Sequence, residues 1–252
     1  MNEGYDPQVV IDNSDSGTRM ALILIVMAIA GIGGYMQYAG AIPRGQRDKT
    51  FCIPLATNLW NFAHDTTYVA SYDSWFDDEN ELWICKLFWF GLIVFSILEL
   101  VVIAQIIRYA REDLFGEGCS VAKAIAIYCV LQVFVYGIFH WFQDITDDPL
   151  EYYGLTTTVI MASAFNISMM RSRGSQRGMS EFILWGYLTL SAGFWPWMML
   201  SDPDHFCRPV YIMMAIGNLA VDVYSIYVFR SLPVYVPPNP VERQTRTAVP
   251  AG

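Results

Sequence analysis

Seven apolar runs joined by short connections set the strongest limit on what this chain can become. They lie at 20–42, 51–72, 82–107, 121–142, 152–170, 182–200 and 210–229. At about 1.5 Å per residue each is long enough, or nearly so, for a hydrocarbon layer roughly 30 Å thick. Such a layer offers no water to unpaired backbone groups, so runs of this kind specify helices. With 54% of residues hydrophobic and only 15% charged, a soluble globular fold is disfavoured. The expected fold class is all-α: a polytopic membrane protein with seven transmembrane helices in one domain over 20–231. A polar tail, 1–19, and a Pro-rich tail, 232–252, flank it, and both have the composition of disordered segments. Only Arg19 precedes the first run, which is the wrong flank for a cleaved signal peptide, so that run is expected to stay in the mature protein.

The charges on the connections alternate. Arg44, Arg47 and Lys49 follow the first run, Arg108 and Arg111 the third, Arg171, Arg173 and Arg177 the fifth, and Arg230, Arg243 and Arg246 the seventh. The opposite connections are acidic: Asp73, Asp77, Asp78, Glu79 and Glu81, then Asp144, Asp147, Asp148 and Glu151, then Asp202 and Asp204. The positive-inside rule puts the N-terminus outside or in the lumen and the C-terminus in the cytosol. The net charge of −9 belongs mostly to the outer loops, and no basic patch supports nucleic-acid binding.

Two carboxylates stand where lipid should be: Asp65 in the second run and Asp222 in the seventh. Near the middle of a membrane helix a carboxylate costs roughly 2.5–3.5 kcal/mol, so it faces a cavity or a partner and marks a functional site. Asn58, Asn61, Asp65, Tyr68 and Tyr72 recur every three or four residues, which places them on one helix face. Asn218, Asp222 and Ser225 repeat the pattern on the seventh helix. By rise alone, Asp65 sits roughly 5 Å to one side of its helix midpoint and Asp222 roughly 4 Å to the other, so the two could line one pocket. Ser96 and Glu99, Gln132, Tyr136 and His140, and Asn166 are further polar candidates, and Glu99 serves equally well as a structural residue.

Several aromatic residues lie away from the interfacial belt: Trp60, Phe62, Phe88, Trp89, Phe90, Phe134, Phe139, Trp185, Phe194 and Trp195. Packing accounts for most of them, while a π face can also stabilise a cation by about 0.5–2 kcal/mol. Trp195 and Trp197 flank Pro196, a candidate kink. Gly31, Gly33, Gly34 and Gly40 suit close helix packing. The five cysteines include no pair with metal-ligand spacing. Cys85 and Cys207 fall at outer helix ends, where a disulfide is one alternative and two free thiols the other.

The segment Asn61-Phe62-Ala63-His64-Asp65-Thr66-Thr67-Tyr68, taken with Asn218-Leu219-Ala220-Val221-Asp222, resembles the integral-membrane terpene cyclases of meroterpenoid biosynthesis, the paxilline-type indole-diterpene cyclases and their relatives. That family has about this length and seven helices, with an acidic residue on the second and an aspartate near the C-terminal end. Its second helix typically carries Trp-Glu where this chain has His64-Asp65. Asp keeps the acid and shortens its reach by one methylene, and His64 either tunes Asp65, contacts a substrate oxygen or bonds a neighbouring helix.

The resemblance implies catalytic roles for Asp65 and Asp222. It assigns substrate contacts to Asn58, Asn61, His64, Tyr68, Glu99, His140, Trp195 and Asn218. Desolvation in an apolar site disfavours any carboxylate, and a second carboxylate nearby adds to the effect, which keeps a neutral acid available. Asp65 would protonate a terminal epoxide, or an alkene, of a prenylated aromatic lipid. Successive alkenes would then attack the cation, and Asp222 would reset the proton. No metal or cofactor is implied. The partners implied are the epoxidised prenyl substrate, membrane lipid, and an upstream prenyltransferase and epoxidase; in a eukaryote the location would be the endoplasmic-reticulum membrane.

Three other readings remain. A proton-coupled small-solute transporter also uses intramembrane carboxylates, but its expected internal repeats with matching broken helices are not seen. A retinal Schiff base on the seventh helix is excluded, because the lysines are Lys49, Lys86 and Lys123. A receptor reading rests on helix number alone. A structural assembly partner would pair its carboxylates with other subunits.

Overall fold

The computed structural model describes residues 5–15, 17–72, 83–146, 148 and 150–237. Over these the chain is all-helical: α1 (Pro7–Asp15), α2 (Gly17–Asp48), α3 (Leu55–Ala70), α4 (Trp83–Gln105), a π-helical turn (Ile106–Ala110), α5 (Arg111–Phe115), α6 (Val121–Thr146), α7 (Tyr152–Arg173), α8 (Glu181–Ser201), α9 (Pro203–Phe206) and α10 (Pro209–Ser231). Each apolar run has become a helix. Among the described residues, four segments are long and apolar enough to cross a membrane: Gly17–Asp48, Lys86–Phe115, Val121–Thr146 and Pro209–Ser231. α3 has only 16 residues and carries the polar stripe. Asp73, Asp77, Asp78, Glu79, Glu81, Asp147, Arg243 and Arg246, the tail beyond 237 and the Cys85 side chain of the possible Cys85–Cys207 pair lie outside the described residues.

The long helices form a ring. α2 packs along α8, α8 meets α10, α10 meets α7, α7 meets α3, and α3 meets α4 and α6. The ring closes loosely, because α2 touches α4 far less than it touches α8. Glycine explains the tight side. A Cβ on Gly33 would lie 2.1 Å from the Leu190 nitrogen, and one on Gly193 would lie 2.4 Å from the Ala30 nitrogen. Backbone therefore runs against backbone along this antiparallel pair, which only small residues allow. Gly34 and Gly40 meet Phe95 and Ile183, whereas Gly31 faces open space.

The two ends of the bundle differ in charge. At one, buried Asp48 pairs with Arg44 at 2.7 Å and Arg47 at 2.8 Å and accepts the Gly178 N–H at 2.9 Å. Arg173 and Arg177 donate to backbone carbonyls of Phe51 and Lys49, each at 2.9 Å. The opposite end is acidic and aromatic. Here the N-terminal tail, expected to be disordered, folds instead: Tyr5 and Val10 are buried, the Tyr5 hydroxyl donates to Asp148 at 2.7 Å, and Asn13 donates to the Ser201 carbonyl at 2.9 Å. His205 joins this cap through Tyr153 at 2.8 Å and Tyr211 at 2.7 Å.

Glu151 is the cap's weak point. It is buried in a left-handed conformation (φ 67°), and among the described residues Oε2 has no hydrogen-bond partner. Burial, with the Asp148 charge behind it, pushes its carboxyl from the ordinary 4.5 up to about 10. The raised value means that the folded state holds a proton the unfolded chain releases. The contribution is fully present below about 4.5 and is lost as pH rises toward about 10. Glu151→Gln is therefore expected to raise the thermal midpoint of the detergent-solubilised protein at pH 8 and to leave it unchanged at pH 4. An equal or lower midpoint at pH 8 would contradict this account.

Candidate functional site

The helical spacing of the α3 stripe turns Asn58, Asn61, His64, Asp65 and Tyr68 inward, and all five are buried. Tyr72, beyond the helix end, is 49% exposed. His64 Nδ1 lies 2.8 Å from Asp65 Oδ1. The His64 ring packs edge-on against Tyr68, with ring centres 4.2 Å apart. The Tyr68 hydroxyl fits against Gly154, where a Cβ would lie 1.9 Å away. Glu99 from α4 is fully buried and receives hydrogen bonds from the Tyr38 hydroxyl and the Asn58 amide. Tyr128 donates to Asn58 Oδ1 at 2.7 Å.

Asp65 and Asn61 open onto a cavity of about 640 Å³ enclosed by α2, α3, α4, α7 and α8. Its wall is overwhelmingly apolar, with Gln37, Asn61 and Asp65 among its few polar side chains. Phe88, Phe194 and Trp197 form an aromatic corner of it, with Trp197 5.8 Å from Phe88 and 6.0 Å from Phe194 between ring centres. On the loosely closed side the wall includes Ile32, Leu87 and Phe90, each more than half exposed on the bundle's outer face. The cavity therefore opens sideways between α2 and α4.

Asp222 does not share this cavity, contrary to the expectation of a common pocket. Ser191 of α8 donates to Asp222 Oδ2 at 2.6 Å, and Trp195 Nε1 donates to Asn218 Oδ1 at 3.0 Å. Asn218, Asp222 and Trp195 thus form a second polar group where α8 meets α10, outside the cavity lining. His140, expected to touch substrate, is exposed on α6 and stacks loosely on Tyr136. Phe90, Phe134 and Trp185 are also turned outward. Gln132 donates across to the Leu59 carbonyl of α3 at 3.0 Å, whereas Asn166 donates back to the Ala162 carbonyl of its own helix at 2.9 Å.

Gln37 and Tyr38 were not singled out in the sequence, nor were Ser163 and Ser191 around Asp222. The only signal for Gln37 was an amide within the otherwise apolar centre of α2. Among the described residues, no three His, Cys, Asp or Glu side chains converge as a metal site requires.

The arrangement is that of an acid at the edge of an apolar, aromatic-cornered chamber that lipid can reach. One oxygen of Asp65 is fixed by His64. Among the described residues the other receives no hydrogen bond from the protein. No curated protein and no solved structure matches the chain. The family model of Pyr4-like transmembrane terpene cyclases matches residues 17–229, from the start of α2 to the last turn of α10, and the chain belongs to that family of membrane-embedded cyclising enzymes.

Proposed function

We propose that this terpene cyclase folds a prenylated aromatic lipid into its 640 Å³ chamber and starts cyclisation by protonating a terminal epoxide with Asp65. The observation that carries the reading is the meeting of a buried carboxyl with an apolar cavity open toward lipid. Asp65 gives its proton to the epoxide oxygen, and the bond from that oxygen to the tertiary carbon breaks. An alkene π pair closes the first ring, and further alkenes follow. The last cation loses a proton, so the product is an isomer of the substrate. Phe88, Phe194 and Trp197 present π faces to the moving charge, and the absence of bulk water protects it. Neutral His64, donating Nδ1–H to Asp65 Oδ1, holds the carboxyl with Oδ2 toward the chamber and stabilises the carboxylate left behind.

Glu99 on α4, bonded by Asn58 of α3 and Tyr38 of α2, is the proton-holding network behind the acid's helix. Asp222 acts as a positioning residue: through Ser191 and its neighbour Asn218 it fixes the α8 wall. The seven long helices cross the membrane as one domain over 20–231, with the arginine-rich end cytosolic and the Asp148–Asp202 end lumenal. An endoplasmic-reticulum membrane, an upstream prenyltransferase and an epoxidase complete the setting. The transporter alternative has no specific observation in its favour.

The direct test offers membranes containing the protein a panel of epoxyprenylated phenols and indoles, with products separated by chromatography and weighed by mass spectrometry. New products of unchanged mass support the reading, and no product across the panel would sink it. The sideways opening yields a second expectation. Gly31 lines the chamber, and a Cβ there meets nothing within 4 Å. Gly31→Trp should therefore fold normally and obstruct the opening. It is expected to lower kcat/KM by about tenfold or more for long prenyl chains, with kcat at saturation little changed. Unaltered kcat/KM would place the entrance elsewhere.

A further inference from the structure

Two residues of the chamber wall each carry a buried polar atom that is unpartnered among the described residues. Gln37 on α2 is 4% exposed and its Nε2 donor has no hydrogen-bond partner there; Asn61 on α3 is 8% exposed and its Oδ1 acceptor has none. Both residues line the cavity, as does Asp65 one helical turn from Asn61. An orphaned buried donor or acceptor is costly, and a fold usually satisfies it with its own groups, water or a ligand. The backbone at Gln37 is fixed where α2 meets α8: a Cβ added to Gly186 would lie 3.0 Å from the Gln37 nitrogen.

We infer that Gln37 and Asn61 form a two-sided cradle for the substrate's reacting oxygen, which fixes the epoxide end of the chain beside Asp65. The inference rests on the cyclase reading above and adds a specificity residue to it. The two atoms suit successive stages of one step. An epoxide oxygen only accepts, and Gln37 Nε2 can donate to it before proton transfer. Once Asp65 has delivered its proton and the C–O bond has opened, the same oxygen is a hydroxyl. It can then donate to Asn61 Oδ1 while still accepting from Gln37. The hydrocarbon is thereby directed away from the cradle toward Phe88, Phe194 and Trp197. An alkene in place of the epoxide would leave both atoms orphaned, so the cradle selects oxygenated chains over their deoxy counterparts.

The test measures binding, which separates it from turnover. Purified protein carrying Asp65→Asn, to prevent reaction, is titrated with an epoxyprenyl phenol and with the corresponding alkene. Gln37→Leu is then added, with Gln37→Met as an unbranched variant of similar volume should Leu fail to fold. The parent is expected to prefer the epoxide by about tenfold or more, and either variant is expected to remove that preference while leaving the alkene's Kd unchanged. A preference that survives in the variants, equal weakening of both ligands, or no preference in the parent would each overturn the cradle. The cyclase reading can fail separately: full preference in binding with no isomer formed by protein retaining Asp65 would retire the reaction and keep the oxygen site.

Discussion

Asp65→Asn is expected to lower kcat by about 10² to 10⁴-fold, the range a positioned general acid supplies, with binding of the epoxide substrate retained. The substitution is nearly isosteric, keeps an oxygen for His64 Nδ1 at the position it now bonds at 2.8 Å, and puts a non-acidic amide N–H₂ in place of the acidic O–H. Matched expression and an unchanged melting profile would separate the chemical effect from misfolding. Asp222→Asn serves as the internal comparison. Its carboxylate bonds Ser191 at 2.6 Å away from the chamber, so its loss should act through the α8 wall and cost less than about tenfold. A larger defect in Asp222→Asn than in Asp65→Asn would invert the assignment.

Gly33→Val is expected to stop the protein from reaching its folded state. The first atom of any side chain at Gly33 would lie 2.1 Å from the Leu190 nitrogen and 2.7 Å from the Gly186 oxygen. Neither is the flexible end of a side chain, so the clash is relieved only by parting α2 from α8 along the tightest contact in the bundle. Overpacking usually costs about 1–3 kcal/mol, and a backbone clash belongs at or above the upper end. The measurement is the monodisperse fraction after detergent extraction, compared with Gly31→Val two residues away, which meets nothing within 4 Å. Equal recovery of the two variants would contradict the packing described here.

Much of this was legible in the sequence because membranes make helices obligatory. Each apolar run became a helix, and the three-to-four residue spacing of Asn58, Asn61, Asp65 and Tyr68 turned them inward together. Which helices would be neighbours was not legible. Asp65 and Asp222 looked like a pair because both are acids within membrane runs, yet Ser191 holds Asp222 at the α8–α10 contact, outside the cavity lining that includes Asp65. His140 was drawn in by its spacing from Gln132 and Tyr136. Steps of four drift by about 40° each, so eight residues on it has rotated about 80° from Gln132 and out of the bundle. The N-terminal tail read as disordered by composition, while two buried residues, Tyr5 and Val10, suffice to anchor it. Gln37 gave no pattern, since one amide in the apolar centre of a 32-residue helix acquires meaning only from the cavity beside it.

The most direct measurement incubates membranes in D₂O with an epoxyprenyl phenol that carries an ¹⁸O label in the epoxide, followed by product mass after back-exchange into H₂O. Epoxide protonation by Asp65 puts the solvent-derived proton on oxygen and removes a substrate proton at the end. The account predicts a cyclised isomer that keeps the ¹⁸O and carries no carbon-bound deuterium. A gain of one deuterium on carbon would show alkene protonation instead, and a product heavier by one water, or no product at all, would contradict the claim that this chamber performs an acid-initiated cyclisation.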